Sequence, residues 1–213
     1  CSSVAVINLP TSVKTIGYQA FSHCTSLTEV EIPNGVTTIG HMAFNMCGSI
    51  VSVSLPKSLT SLGRIVFYEC NSISKITVEE GNTKYDSRGN CNAVIETATN
   101  TLLVGSASTI IPEGIISIET AAFRGLQALT SINIPNSVTN IGEDAFYGCP
   151  LTSITIPCTI KNIGENAFQD CSSLTAITYE GSRQQWSEIE FGSNWNIDIP
   201  AKVVHCTDGD VEI

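Results

Sequence analysis

Basic residues are scarce in this 213-residue chain: ten Lys and Arg stand against twenty Asp and Glu, a formal charge of −10. Such a balance repels phosphate backbones and anionic headgroups, which argues against nucleic acid as a partner. Charge of either sign is thin, at 14% of residues, while apolar side chains reach 42%. The chain is too apolar for disorder and is expected to fold throughout. No apolar run approaches the roughly 18 residues of a membrane helix, so no insertion into a bilayer is expected and the chain reads as soluble. The N-terminus carries no charged-then-apolar signal segment. Histidine occurs three times and aromatic residues make up 7%. The spacings C-x-x-C and H-E-x-x-H, a Ca²⁺ loop, G-x-S-x-G, G-x-G-x-x-G and the P-loop are all missing. These absences predict no metal, no cofactor and no catalytic residue.

What is present is repetition. In residues 27–47, LTEVEIPNGVTTIGHMAFNMC, Pro33 and Phe44 are eleven residues apart, and the phrase restarts at Ile50 with a period of 23. The same spacing of eleven recurs at Pro10/Phe21, Pro56/Phe67, Pro112/Phe123, Pro135/Phe146 and Pro157/Phe168. A period of this size with Leu27-x-x-Val30-x-Ile32 is the signature of a leucine-rich-repeat solenoid. Within LTEVEIP the alternation puts Val30 and Ile32 on one face and Glu29 and Glu31 on the other, a half-buried strand. Proline then removes a ladder donor and ends the strand. Strands are expected at Leu27–Pro33, Ile50–Pro56, Ile73–Glu79, Leu129–Pro135, Leu151–Pro157 and Leu174–Glu180, after a partial first coil at Val4–Pro10. Each is reached by a full circuit, so they must run parallel. Val36-x-x-Ile39-Gly40 follows, with the Gly read as a tight corner; Glu119 stands at that position once. The next unit, x-A-F-x-x-C, reads as one helical or 3₁₀ turn that buries the Phe. About eight coils at about 4.8 Å each make a rod or shallow horseshoe roughly 40 Å long.

The repeat is interrupted. Cys70 and Leu126, neighbours in the cysteine register, are 56 residues apart. The extra stretch, about 80–108, reads as a loop and a hairpin protruding from the solenoid of residues 1–180. Residues 181–213 leave the repeat and hold Trp186 and Trp195; they read as a C-terminal cap over the last open coil.

Cys1, Cys24, Cys47, Cys70, Cys149 and Cys171 share the repeat position, with Leu126 in the same slot once. Leucine replaces a packing group but not half a bridge or a metal ligand, so these thiols read as a buried ladder. Cys91, Cys158 and Cys206 lie off it. Because Cys1 already stands in register, the chain begins in mid-repeat, and an N-terminal part is expected to have preceded it. His23 beside Cys24, and the Asp208, Asp210 and Glu212 tail, read as solvated positions.

The phrase Leu129–Cys149, LTSINIPNSVTNIGEDAFYGC, resembles the BspA-like leucine-rich repeats of bacterial surface proteins, the treponemal type. The insertion and the tail QQWSEIEFGSNW also resemble segments of that family. Unlike ordinary leucine-rich repeats, the chain has Gly35, Ser137 and Thr159 where an Asn or Cys ladder would stand. The resemblance implies an exported or surface-attached protein that adheres to host or bacterial macromolecules, protein or glycan; it carries over no catalytic residue. The outward strand positions Glu29, Glu31, Ser52, Ser54, Lys75 and Thr77 are the candidate face, though their small polar character is poor hot-spot material. Lys84, Tyr85 and Arg88 in the insertion are a second candidate. A monomer is expected. A spacer without a ligand of its own, or a weak glycan-binding module, are the competing readings.

Overall fold

The computed structural model describes residues 3–213, so the ladder position of Cys1 lies outside the described residues. The chain winds as a mostly parallel β-solenoid of about nine turns with almost no helix. One side of each coil carries the longer strands. Val6–Asn8, Glu29–Glu31, Ser52–Leu55 and Lys75–Val78 pair in parallel as one sheet. Ser153–Ile156, Ala176–Tyr179 and Val203–Cys206 form a second, closed by the antiparallel strand Gly209–Glu212. Alternation decides what is buried: Val30 is covered while Glu29 and Glu31 face water. The expected strand at Leu129–Pro135 does not form. Thr130 accepts one bond from Thr152, and on the other side the Ile110 amide goes to the Cys91 carbonyl instead.

A second side carries two-residue strands, from Thr15–Ile16 through Thr38–Ile39 to Ser61–Leu62, and again from Ser117–Ile118 to Glu190–Phe191. The third side holds the Ala-Phe unit, and here the expected helical turn is replaced by left-handed residues. Met42 and Met46 both have φ near +58°. Amides therefore alternate between coils. Ala43 and Asn45 donate to Gly40 and Met42 in their own coil, while Met42, Phe44 and Met46 donate to Arg64, Val66 and Tyr68 of the next. A helix would satisfy its amides locally and leave this side unbonded to its neighbours.

The Phe side chains point inward and stack. Phe21, Phe44 and Phe67 lie 5.3 and 5.5 Å apart, and Phe123, Phe146 and Phe168 lie 5.1 and 5.3 Å apart, with ring planes nearly parallel. Trp195 meets Phe168 edge-on, and Trp186 packs on Tyr179 and Trp195, so both tryptophans finish the core. The ladder cysteines do more than fill space. Thiols of Cys47, Cys70, Cys149 and Cys171 donate to the carbonyls of Phe21, Phe44, Phe123 and Phe146 in the preceding coil, at 3.0–3.1 Å.

The insertion does not protrude. Tyr85–Asp86, Val94–Glu96 and Thr101–Val104 form an antiparallel meander whose last strand pairs in parallel with Ser117–Ile118, placing it inside the short-strand stack. Ala93, Val94, Ile95 and Leu102 are fully buried. Adjacent apolar residues, rather than alternating ones, mark strands covered on both faces. Val94 joins a core cluster that runs back to Ile16, and Ile95 joins one that runs on to Val204. The meander is thus the partition between two half-cores.

Arg124 clasps the two halves. Its guanidinium lies 3.9 Å from the Tyr147 ring and 5.3 Å from that of Tyr68, across the meander, and it pairs with Asp144. Arg124→Ala is expected to cost about 1–2 kcal/mol, read as a lower thermal midpoint, and Arg124→Lys to recover only part of it because an ammonium stacks poorly. An unchanged midpoint would place the strength of the junction elsewhere.

Candidate interaction surface

The register of the first sheet sets Glu29, Ser52 and Lys75 in one row and Glu31, Ser54 and Thr77 in the next. Six predicted residues therefore share one face. Thr77 is half-buried and leans its hydroxyl toward the Val53 carbonyl. Of the insertion candidates, Lys84 and Tyr85 meet, with the ammonium 5.4 Å from the ring centroid, while Arg88 is turned to other partners. Lys84 is exposed and lies 3.9 Å from Glu96, while Arg88 is held by Asp86 and by Asn100 at 3.0 Å. Tyr85 is buried, with its phenol oxygen accepting from the Leu62 amide at 3.0 Å. It is a core residue of the partition and leaves the list of surface candidates.

A groove of about 680 Å³ lies between the short-strand side and the cap, bordered by Cys158, Lys161, Tyr179, Gln185 and Glu188. Its lining holds a thiol but no histidine to activate one. Among the described cysteines Cys158 is the exposed one, whereas those of the ladder are buried and free. Burial pushes Cys149 and Cys171 up to about 12. A raised thiol pKa means the folded chain holds its proton longer than the unfolded one, so this contribution is complete below about pH 9 and lost as pH rises toward 12. Two results are expected. In native protein a thiol reagent modifies Cys158 rapidly and the ladder only after denaturant is added, as mass spectrometry of labelled peptides would show. Stability measured by urea also falls between about pH 9 and 12, by up to ~1.4 kcal/mol per pH unit for each of Cys149 and Cys171. A flat profile would mean these thiols are not shielded.

Sequence reasoning passed over the turn side. One residue beyond the glycine position of each coil stands an exposed side chain: Tyr18, His41 and Arg64 in the first three. The Tyr18 and His41 rings lie 5.8 Å apart and within 5° of parallel. Tyr18 is 65% exposed, and Met42, Met46 and Tyr68 are half-buried beside the row. Gln19 reaches across the coils to the Met42 sulfur. Tyr, Met and Arg are the residues enriched where proteins meet. The available signal was the column after the repeat glycine, which changes in almost every coil and which core packing therefore leaves free. No helix among the described residues is long and apolar enough to cross a membrane.

Residues 1–101 and 105–203 match the BspA type leucine rich repeat region, in six copies. A crystallised leucine rich cell surface protein of Faecalibacterium prausnitzii is 28% identical, with a TM-score of 0.63 over 89% of this chain and 63% of that one. The pneumococcal vaccine antigen PcpA is 24% identical, with a TM-score of 0.69 over 96% of this chain and 57% of its own. A leucine-rich repeat protein of Bacteroides ovatus is 22% identical, with a TM-score of 0.66 over 98% and 50%. The last two share the fold, and the chain spans less than two thirds of each of the three. Comparison with curated proteins returns no match. The leucine-rich-repeat family points to a protein-interaction module. With a repeat model that covers nearly its whole length, the chain belongs to the BspA-type leucine-rich-repeat family.

Proposed function

We propose that the protein is an interaction module of a secreted or cell-surface protein, binding a macromolecule through the turn side of its first three coils. The observation that carries this reading is the contrast between two exposed faces. Outward strand positions offer Glu, Ser, Lys and Thr, whereas the turn side offers Tyr18, His41 and Arg64 flanked by Met42, Met46 and Tyr68. Large side chains with few rotors or planar cations give more contact for less ordering entropy. The description of the Faecalibacterium protein as a cell surface protein supports the location.

The test is retention on a panel of immobilised matrix proteins, bacterial surface proteins and glycans. Retention on a protein, lost in Tyr18→Ala with Arg64→Ala and kept in Glu29→Ala with Glu31→Ala, is expected. The reverse pattern would return the contact to the strand face. Retention on glycans alone would favour the glycan reading, and no retention at all by a chain that also stays monomeric would favour the spacer.

A further inference from the structure

The exposed row on the turn side does not end at Arg64. Beyond the partition it continues through Thr120 to Glu143, Glu165 and Ser193, and Glu143 and Glu165 are exposed. In coil order the row reads phenol, imidazole, guanidinium, then hydroxyl, carboxylate, carboxylate, hydroxyl. Within the row the carboxylates gather at the far end, and Arg64 is the full cation at the near one. Of the twenty carboxylates thirteen follow residue 108, while six of the ten cations precede it. Arg64 is 72% exposed along its side chain and meets Glu119 only at 3.9 Å, so its guanidinium is free to swing outward.

We propose that this side is covered by a second copy of the chain, packed antiparallel about a two-fold axis midway between Arg64 and Glu143. This deepens the reading of the turn side as the contact surface, and rests on it. Reversing the row places Arg64 opposite Glu143, His41 opposite Glu165 and Tyr18 opposite Ser193. The two-fold repeats each contact, so one arrangement satisfies both ends of both copies and closes. An unrelated acidic protein would cover only the Tyr18 to Arg64 end and leave Glu143 and Glu165 without partners. The apolar content is shared as well: Met42, Met46 and Tyr68 flank the Arg64 end, and Ile197, 41% exposed, lies toward the acidic end. About nine coils at roughly 4.8 Å make a face some 40 Å long. With a width of about 20 Å it approaches the ~800 Å² per partner of a standard interface. The overall −10 charge opposes association. At physiological ionic strength, however, charges more than about 8 Å from the contact are largely screened, so the local pairs decide.

Sedimentation equilibrium of the whole chain in 0.15 M salt tests this. Wild type is expected to form a dimer as concentration rises into the range of tens to hundreds of micromolar. Glu143→Arg with Glu165→Arg, and separately His41→Glu with Arg64→Glu, are expected to weaken self-association more than about tenfold by placing like charges opposite each other. Mixing the two variants in equal amounts restores a dimer, now of one copy of each. A wild type that stays monomeric overturns the proposal, as do reversed variants that dimerise like wild type. All four positions are exposed, and thermal midpoints matching wild type confirm that the variants fold. A monomer that still binds an immobilised protein through Tyr18 and Arg64 sinks self-association and leaves the module reading standing. A dimer abolished by charge reversal, with retention that ignores Tyr18, keeps the turn side as the self-contact and moves the binding of other proteins to another face.

Discussion

Phe146→Ala is expected to destabilise the protein by about 3–5 kcal/mol, the range for removing a fully enclosed aromatic ring from a core. The ring is 0% exposed and sandwiched between Phe123 at 5.1 Å and Phe168 at 5.3 Å. Truncation therefore leaves a void with a rigid ring on each side, and neither can fill it without leaving its own partner. The Phe146 carbonyl also accepts the Cys171 thiol, so any backbone settling into the void would stretch that bond. Phe21→Ala is the control. Its ring stacks on Phe44 alone among the described rings and is half-buried, so its loss should cost well under half as much. Urea unfolding of the three proteins would give the order. Hydrogen exchange adds a finer prediction. Because the core is two clusters on either side of the meander, Phe146→Ala should raise exchange across residues 112–200 before it reaches 16–94. Equal costs at Phe21 and Phe146 would mean that the rings are not sharing a stack.

The repeat was legible because every coil solves one packing problem with the same letters. Pro, Phe and Cys recur where a strand must end, a ring must stack and a thiol must reach a carbonyl, so counting residues recovered the winding. Two departures in one coil also recorded the partition. Leu126 replaces the ladder cysteine where the preceding rung is Gly105 and its neighbours, which supply no Phe carbonyl for a thiol. Glu119 replaces the repeat glycine where the rung before it is Leu102 of the meander, to whose carbonyl the Glu119 amide donates. The buried meander itself was misread because EEGNTKYDSRGN looks solvated. That polarity is spent locally, as Asn82 bonds the Pro56 and Leu59 carbonyls and Asp86 clamps Arg88. The turn-side surface was missed for a different cause. Left-handed residues at Met42, Met46, Ile65 and Ala121 are not the residues that local propensity places there, and bonding from coil to coil makes such a conformation favourable.

The same coil-to-coil closeness makes Gly164→Ala the second large effect expected. The sequence suggests a corner that needs glycine for its backbone angles, but Gly164 does not lie in the left-handed region. What excludes a side chain is the coil beneath. A Cβ on Gly164 would lie 2.5 Å from the Glu143 amide nitrogen and 2.6 Å from the Gly142 carbonyl carbon. Those are backbone atoms held in a ladder, for Gly164 donates to Ile141 at 2.8 Å, and the contact cannot be relieved by turning a rotamer. Overpacking of this kind costs about 1–3 kcal/mol where side chains can yield, and more where only backbone is available. A loss of at least about 3 kcal/mol is therefore expected. Gly17 occupies the same repeat position in the first coil, and nothing lies within 4 Å of its would-be Cβ. Gly17→Ala should change stability by less than about 0.5 kcal/mol, or raise it slightly by stiffening the unfolded chain. Parallel urea titrations of the two variants decide between the explanations. A corner that needs glycine's freedom would make both substitutions costly, whereas contact between coils makes only Gly164→Ala costly.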